Sequence, residues 1–121
     1  MTLGECIRRI DELRPNAASE AEKARWILEL ERELEASFLP RYDGPRPQGA
    51  RRWPEDRAKV LLGSGPFEGM YTYRALARCE MMDREWEAYN AYATVSRQLE
   101  SAFRKNWERT HRRKCFGGVT L

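Results

Sequence analysis

The sequence predicts an all-α protein: a small bundle of about four helices in two helical hairpins, with a long loop or short β-hairpin at 40–65 and a long C-terminal helix. Three observations lead to this prediction. Large apolar side chains recur at spacings of three, four and seven residues, which places them on one face of a helix. Helix-capping residues and helix-ending residues bound these stretches. Five of the six prolines fall between positions 40 and 66, so long helices are confined to either side.

The first two helices are predicted from matching start signals. Thr2–Glu5 and Ser19–Glu22 each have the spacing of a capping box, in which a hydroxyl and a carboxylate satisfy free amides at a helix start. Pro15 ends the first helix, and Pro40 lies just beyond the second, which we expect to run to about residue 37. The expected buried positions in these two helices are Leu3, Cys6, Ile7, Ile10, Leu13, Trp26, Ile27, Leu30, Leu34 and Phe38.

The region from Pro66 to Trp107 predicts two helices that fold back on each other at a short polar corner, Asp83–Arg84. The last helix has about 25 residues and therefore a length of roughly 38 Å, more than a chain of this size covers. We expect part of it to contact another molecule. The expected buried positions are Tyr71, Leu76, Cys79 and Met82 before the corner, and Trp86, Tyr89, Tyr92, Leu99, Phe103 and Trp107 after it.

The segment between the hairpins is too long for a simple connection, and such loops are usually functional or partly disordered. Within it, only Ala58–Leu62 has the composition of a strand. Its predicted partner is Ala50–Trp53 or the same segment of a neighbouring copy, because one strand alone is not stable.

Composition places the chain among single-domain globular proteins: 121 residues, 41% of them hydrophobic and 34% charged, are enough for a modest core. We interpret 1–110 as one helical domain and 111–121 as a basic, flexible C-terminal tail. Three cysteines without a CxxC spacing argue against a disulfide framework or a zinc ribbon. The N-terminus lacks the pattern of a signal peptide. We expect reduced thiols, a cytosolic setting and no membrane partner.

The formal net charge is only +3, but the charges are segregated along the chain. Residues 1–38 carry six basic and nine acidic side chains, whereas residues 103–121 carry six basic side chains and one acidic side chain. This distribution suits head-to-tail contact between copies, or contact between the basic parts and nucleic acid. Solvated helix faces with a loose basic tail are the simpler alternative.

Basic and aromatic side chains in the loop and the tail are the candidate contacts with partners. In the loop, Arg51, Arg52 and Trp53 combine positive charge with a ring, which suits phosphate contact and stacking. An exposed loop with Trp53 packed against the helices explains them equally well. In the tail, cations follow a helix C-terminus, where the helix dipole alone favours them. The tail candidates are Arg109, Arg112, Arg113, Lys114 and Phe116.

The sequence contains no recognisable catalytic constellation. His111 is the only histidine and has no carboxylate near it in sequence, which argues against Ser-His-Asp or Cys-His catalysis. Glu80, Asp83 and Glu87 are interpreted as a solvated acidic patch, and there is no glycine-rich phosphate loop. We therefore expect no enzyme activity, no cofactor and no metal site. The carboxylates of the second helix are interpreted as solubilising surface groups: Glu29, Glu31, Glu33 and Glu35.

Two parts of the chain, residues 3–38 and 60–107, carry a distinctive order of residues. The first part has Ile10, Leu13, Arg14, Pro15, Asn16, Lys23, Trp26 and Ile27. The second part has Leu61, Leu62, Pro66, Met70, Tyr71, Ala77, Asp83, Glu85, Trp86 and Tyr89. This order resembles a family of small phage and prophage proteins of the head-to-tail connector (adaptor, or neck) class. Its members open with an amphipathic helix, a Lys/Arg-Pro-Asn turn and a Lys-x-x-Trp-Leu/Ile helix. An apolar strand, a proline, a Leu-Tyr helix start, a polar corner and a Glu-aromatic-x-x-Tyr helix start follow.

The resemblance implies an all-helical subunit, assembled as a ring that is expected to be dodecameric, under the portal of a tailed phage. Such a ring extends the DNA channel and joins head to tail. The implied partners are other copies of the chain, the portal protein, a tail terminator or stopper protein, and the packaged DNA without sequence specificity. The implied location is the neck of the virion, after synthesis in the cytoplasm of the host bacterium.

Between Pro40 and Lys59 the chain departs from the family, whose members tend to carry a clearer pair of strands there. The alternative hypothesis is a small helical nucleic-acid-binding or regulatory module that uses the basic C-terminal tail.

Overall fold

The structure is a computed structural model that describes residues 1–44, 51–63, 65–116 and 119–120, with only the backbone at 115–116 and 119–120. Its main elements are α1 (Leu3–Leu13), α2 (Glu20–Glu33), α3 (Gly69–Met82) and α4 (Trp86–Thr110). After α4, the two-residue strands β1 (Cys115–Phe116) and β2 (Val119–Thr120) pair antiparallel. The predicted all-α class is confirmed, since these strands are minor. None of the described helices has the length and apolar character that crossing a membrane requires.

The starts of α1 and α2 follow from their capping residues. Thr2 Oγ1 accepts a hydrogen bond of 3.1 Å from the Glu5 amide. Ser19 Oγ accepts one of 3.1 Å from the Glu22 amide, and the Glu22 carboxylate reaches back to the Ser19 amide. These bonds satisfy amides that a helix start leaves without partners, so both starts lie where the sequence predicts them.

The α-helical part of α2 ends at Glu33, earlier than predicted. The chain continues as a π-helix over Leu34–Phe38 and a 3-10 helix over Leu39–Arg41. Pro40 explains the change, because it has no amide to donate to the carbonyl of residue 36 and its ring would clash with that carbonyl. The wider turn still buries Leu34 and Phe38.

Helix α3 lies at the centre of the bundle and packs against α1, α2 and α4. At Asp83–Arg84 the chain turns, and α4 runs back along α3. Ser96 Oγ of α4 donates to the Met70 carbonyl of α3 at 2.8 Å. The core cluster contains most of the positions predicted for the first three helices: Leu3, Cys6, Ile7, Ile10, Trp26, Ile27, Leu30, Leu34, Phe38, Tyr71, Leu76 and Cys79.

Three predicted core positions are wrong, because they lie at one open end of the bundle. Leu13 ends α1, Met82 ends α3 and Trp86 begins α4; they are 42%, 53% and 55% exposed. The rest of the α4 stripe is only partly covered, since α4 has 25 residues and its main neighbour α3 has 14. Phe103 is buried, whereas the half-buried members are Tyr89, Tyr92, Leu99 and Trp107.

The predicted pairing of Ala58–Leu62 with Ala50–Trp53 is wrong within the part of the chain that the structure describes; position 50 lies outside it. Val60 instead forms an isolated antiparallel bridge with Thr2. The loop carbonyls of residues 57 and 59 accept hydrogen bonds of 2.9 and 3.1 Å from the first amides of α1. The first amides of a helix have no partner within the helix, and the loop provides their acceptors in α1.

Candidate partner-binding surfaces

Arg51 lies inside the protein, which corrects its interpretation as a surface contact. Its side chain is 9% exposed, and its Nη1 donates to Glu31 Oε2 at 2.5 Å. Glu31 is itself only 2% exposed, so it is not the solubilising group that the sequence predicts. Arg51 could contact DNA or another subunit only by leaving a buried carboxylate without its cation, which costs several kcal/mol.

Glu31 connects the central loop, of which the structure describes residues 51–63, to the core through further hydrogen-bond donors. The Leu62 amide donates to its two carboxylate oxygens at 3.3 and 3.2 Å, and the Tyr71 hydroxyl donates to its Oε1. The Tyr71 oxygen in turn accepts from the Gly63 amide at 2.8 Å. Burial and the negative charge of Glu31 raise the pKa of Tyr71 far above its usual value, so this hydroxyl remains a donor. The network fixes both ends of the segment 51–63 to α2 and α3.

Of the loop candidates, Arg52 is the one whose side chain is exposed to solvent. Trp53 is half-buried and packs against the core. The Arg57 guanidinium lies 5.7 Å from the centroid of the Trp53 ring, within range of a cation–π interaction. The alternative interpretation, in which Trp53 packs against the helices, therefore describes it better than a stacking platform for bases.

The basic residues after α4 are brought together with Arg41 by backbone pairing. Hydrogen bonds of 2.7 and 2.9 Å join residues 41–43 to residues 112–114, with Tyr42 opposite Arg113. The first residues of the predicted flexible tail are thus paired with the end of the α2 region. Arg41, Arg112 and Arg113 are exposed, and Lys114 is half-buried. We call these four residues the basic edge.

Tyr42 anchors the basic edge to the bundle. Its ring is buried and packs on Phe38 with centroids 5.2 Å apart. Its hydroxyl donates to Glu108 Oε1 on α4 at 3.1 Å. Burial and this hydrogen bond raise the pKa of Tyr42. The backbone that carries the four cations is therefore fixed to the bundle. The sequence did not indicate this cluster, because Arg41 and the tail are far apart in the chain.

The other tail candidates lie at the end of α4. Arg109 is exposed, and its Nη2 donates to Asn106 Oδ1 at 3.0 Å. The backbone of Phe116 lies in β1, and its side chain is outside the described part of the chain, as are residues 117–118 of the predicted tail. His111 stacks on Trp107, with ring centroids 3.7 Å apart and planes inclined by 7°. This stacking gives His111 a packing role at the helix end.

The opposite end of α4 carries apolar and acidic side chains. The exposed apolar residues Leu13, Met82 and Trp86 lie at this end, and we call them the corner patch. Three exposed carboxylates and one exposed cation, Arg84, accompany them, so the charge at this end is negative on balance; the carboxylates are Asp83, Glu85 and Glu87. Since α4 has 25 residues, its two ends, which carry the corner patch and the basic edge, are roughly 38 Å apart.

Glu80 is buried rather than part of a solvated acidic patch. It is 6% exposed and paired with Arg14, whose Nη2 donates to Asp83 Oδ2 at 2.6 Å. The hydrogen bond to Asp83 raises the pKa of Arg14, and the charge of Glu80 acts in the same direction. These pairs join the end of α1 to the corner between α3 and α4.

No family model, curated protein or solved structure matches this chain.

Proposed function

We propose that this protein is a head-to-tail connector of a tailed phage, a structural protein of the virion neck that forms a ring between portal and tail and extends the DNA channel. The proposal begins from the resemblance in residues 3–38 and 60–107. The observation that supports it best is the partial cover of the long C-terminal helix. Ser96 and Phe103 are the buried residues of α4, whereas Trp86 is 55% exposed. Trp86 lies at the same end of the bundle as exposed Leu13 and Met82, and a cluster of exposed apolar side chains is typical of a surface that packs against another molecule.

The separation of charge along α4 supports contact between copies. One end of the helix carries the corner patch with its carboxylates, and the other end carries the basic edge. Two different surfaces that attract each other produce a heterologous contact, which closes into a ring when the rotation between subunits allows it. Many weak contacts of this kind become strong together once the ring is closed.

The basic edge suits the wall of a DNA channel. Arg41, Arg112 and Arg113 extend into solvent from two paired segments, and Arg109, which is exposed at the end of α4, adds a further cation. Contacts between such cations and the phosphates of DNA are independent of sequence and weaken with salt. The proposed role requires neither a catalytic group nor a cofactor.

The mass of the protein in solution tests the proposal. Light scattering and electron microscopy are applied to the protein alone and mixed with portal particles from the same phage genome. We expect a ring, or stoichiometric decoration of one end of the portal. A protein that stays monomeric in both samples and is missing from purified virions would refute the proposal.

A matched pair of variants tests the assigned surface. Trp86→Ser removes an exposed indole from the corner patch and should reduce assembly while leaving the circular dichroism spectrum unchanged. Val60→Ser removes an exposed apolar side chain from the central loop and should leave assembly intact. Equal assembly by the two variants would show that the corner patch is not an interface.

A nucleic-acid-binding module is the second candidate, and the basic edge is the observation that favours it. In this case the monomer would retard DNA in low salt, and neutralising Arg112, Arg113 and Lys114 together would abolish the retardation. Lys59→Ala, at an exposed cation of the central loop, is the matched control. A ring-forming protein whose monomer does not bind DNA would exclude this candidate.

A further inference from the structure

A groove between α3 and α4 is lined by three arginines. It has a volume of about 170 Å³, with Arg74 and Arg78 on the α3 side and Arg97 on the α4 side. Small side chains, Ala77 and Ala93, lie between them and leave the space open. The groove is distinct from both the basic edge and the buried Glu31 network.

The guanidinium groups in this groove keep much of their hydrogen-bonding capacity. Arg74 Nη2 lies 3.6 Å from Glu29 and 3.4 Å from Glu33, and Arg78 Nη2 lies 3.6 Å from Glu29. Charge-assisted N–H···O bonds are usually about 2.7–2.9 Å long, so these pairs are loose. The buried Nε of Arg74 has no acceptor among the described residues. Because this Nε is buried, a ligand in the groove cannot reach it. A guanidinium has five N–H donors, so the Nη groups of these arginines still have donors to offer a further acceptor.

We propose that this groove binds a carboxylate side chain from an acidic, partly apolar peptide segment of a partner protein. The planar fork of arginine matches a carboxylate through two parallel hydrogen bonds, and three arginines that line one groove favour an oxyanion there. Tyr89 also lines the groove, and its ring meets the exposed ring of Trp86 edge-on with centroids 6.0 Å apart. An apolar residue beside the bound carboxylate would pack on this aromatic pair.

The surroundings favour a single carboxylate over a nucleic acid. Glu29 and Glu33 lie against the arginines on the α2 side, and exposed Glu85 and Glu87 lie at the start of α4. Fixed negative charges repel the successive phosphates of DNA, and this repulsion extends over a Debye length of about 8 Å at physiological salt. One carboxylate avoids most of this repulsion because it enters between the three cations. The inference goes beyond the connector proposal, since it concerns any partner with such a segment.

Nuclear magnetic resonance of the full ¹⁵N-labelled chain tests the proposal through the arginine Nε–Hε signals. The probe is a synthetic octapeptide with one glutamate beside a leucine and no other charged side chain, and the control peptide has glutamine in place of the glutamate. We expect saturable shifts of the Arg74, Arg78 and Arg97 signals with the first peptide, and binding at least about tenfold weaker with the second.

Protein variants locate the site. Arg97→Ala should weaken binding of the glutamate peptide by about tenfold, because it removes one charge-assisted contact. Arg97 is exposed, so the fold should be retained, which circular dichroism checks. Arg25→Ala removes an exposed arginine of α2 outside the groove and should leave binding unchanged.

Several results would overturn the proposal. They are equal binding of the two peptides, no saturable binding at millimolar peptide, or unchanged binding by Arg97→Ala. A short DNA duplex that displaces the peptide and shifts the same three arginine signals would make the groove a nucleic-acid contact instead. None of these outcomes changes the mass measurement that tests ring formation. The groove proposal and the connector proposal can therefore fail separately.

Discussion

The buried pair between Arg51 and Glu31 leads to the sharpest prediction about stability. Arg51→Met replaces the guanidinium with an apolar side chain of similar length. Glu31, 2% exposed, would keep its hydrogen bonds from Tyr71 and Leu62 but lose its only cation among the described residues. A buried carboxylate would then remain without a compensating charge, which is strongly destabilising.

The expected loss in the free energy of unfolding is about 3 kcal/mol, the lower end of the usual range for breaking a buried ion pair. A domain of this size has a total stability of roughly 5–15 kcal/mol. At roughly 4 °C for each kcal/mol, the melting temperature should fall by about 12 °C. The variant should therefore be folded at room temperature but clearly weakened.

Urea unfolding followed by circular dichroism measures the effect. Arg52→Met is the matched control: it changes the neighbouring arginine, whose side chain is exposed, and should alter stability by less than about 0.5 kcal/mol. Equal stability of the two variants would refute the assignment of Arg51 as the buried partner.

The double variant Glu31→Gln with Arg51→Met makes the test stricter. Glutamine carries no charge but still offers an oxygen to Tyr71 and Leu62. The double variant should therefore be more stable than Arg51→Met alone by about 1 kcal/mol or more. If the second substitution instead lowers stability further, the cost does not come from an unpaired buried charge.

Three further predictions concern the exposed corner, the turn and the buried thiol. Trp86→Ala should change the free energy of unfolding by less than about 1 kcal/mol, because Trp86 is exposed, whereas Trp26→Ala in the core should lower it by about 3–5 kcal/mol. Urea unfolding measures both, and equal losses would contradict the difference in burial between the two tryptophans. Arg84 has a φ of 58°, a left-handed conformation that costs less for glycine, so Arg84→Gly should raise the free energy of unfolding by up to about 1 kcal/mol. Arg25→Gly inside α2 should lower it by about 1 kcal/mol. If thermal unfolding shows melting temperatures that change in the same direction in both variants, the strain at the turn is refuted. Burial raises the pKa of the Cys6 thiol from 9.0 to about 12, so the thiol of the unfolded chain loses its proton first as the pH rises. The free energy of unfolding should therefore fall by about 1.4 kcal/mol per pH unit from pH 9 towards pH 12. In urea unfolding between about pH 8 and pH 10, Cys6→Ala should show a shallower fall, and the same dependence of stability on pH in both proteins would refute the contribution of this thiol.

Local features of the fold could be predicted because they depend on residues that are close together in the chain. The N-cap at Thr2, the capping box at Ser19 and the stop before Pro15 needed no information from the rest of the molecule; at Thr2 the hydroxyl caps the Glu5 amide, but the reciprocal bond of a full capping box is not formed. The same holds for most of the apolar positions in α1 and α2, whose spacing alone places them on one face. The prediction that Leu13 is buried was wrong, because periodicity indicates a shared helix face but not how far the neighbouring helices extend.

The candidate surfaces were predictable only in part. The tail cations were visible in the sequence, but Arg41 joined them only through backbone pairing between residues 41–43 and 112–114. Arg51 and Arg52 are adjacent arginines with the same composition around them. Nothing local indicates that one enters the core and the other extends into solvent.

The sequence by itself determined the helical class, most helix boundaries and the unequal distribution of charge, since each depends on residue type and short-range spacing. The tertiary structure alone decided which polar groups are buried. Glu31 is one of several alternating carboxylates, and it is buried because Arg51 and Tyr71, which lie 20 and 40 residues away, provide its donors. The same holds for the groove with its three arginines, which exists only because α4 folds back along α3 and brings Arg97 beside Arg74 and Arg78.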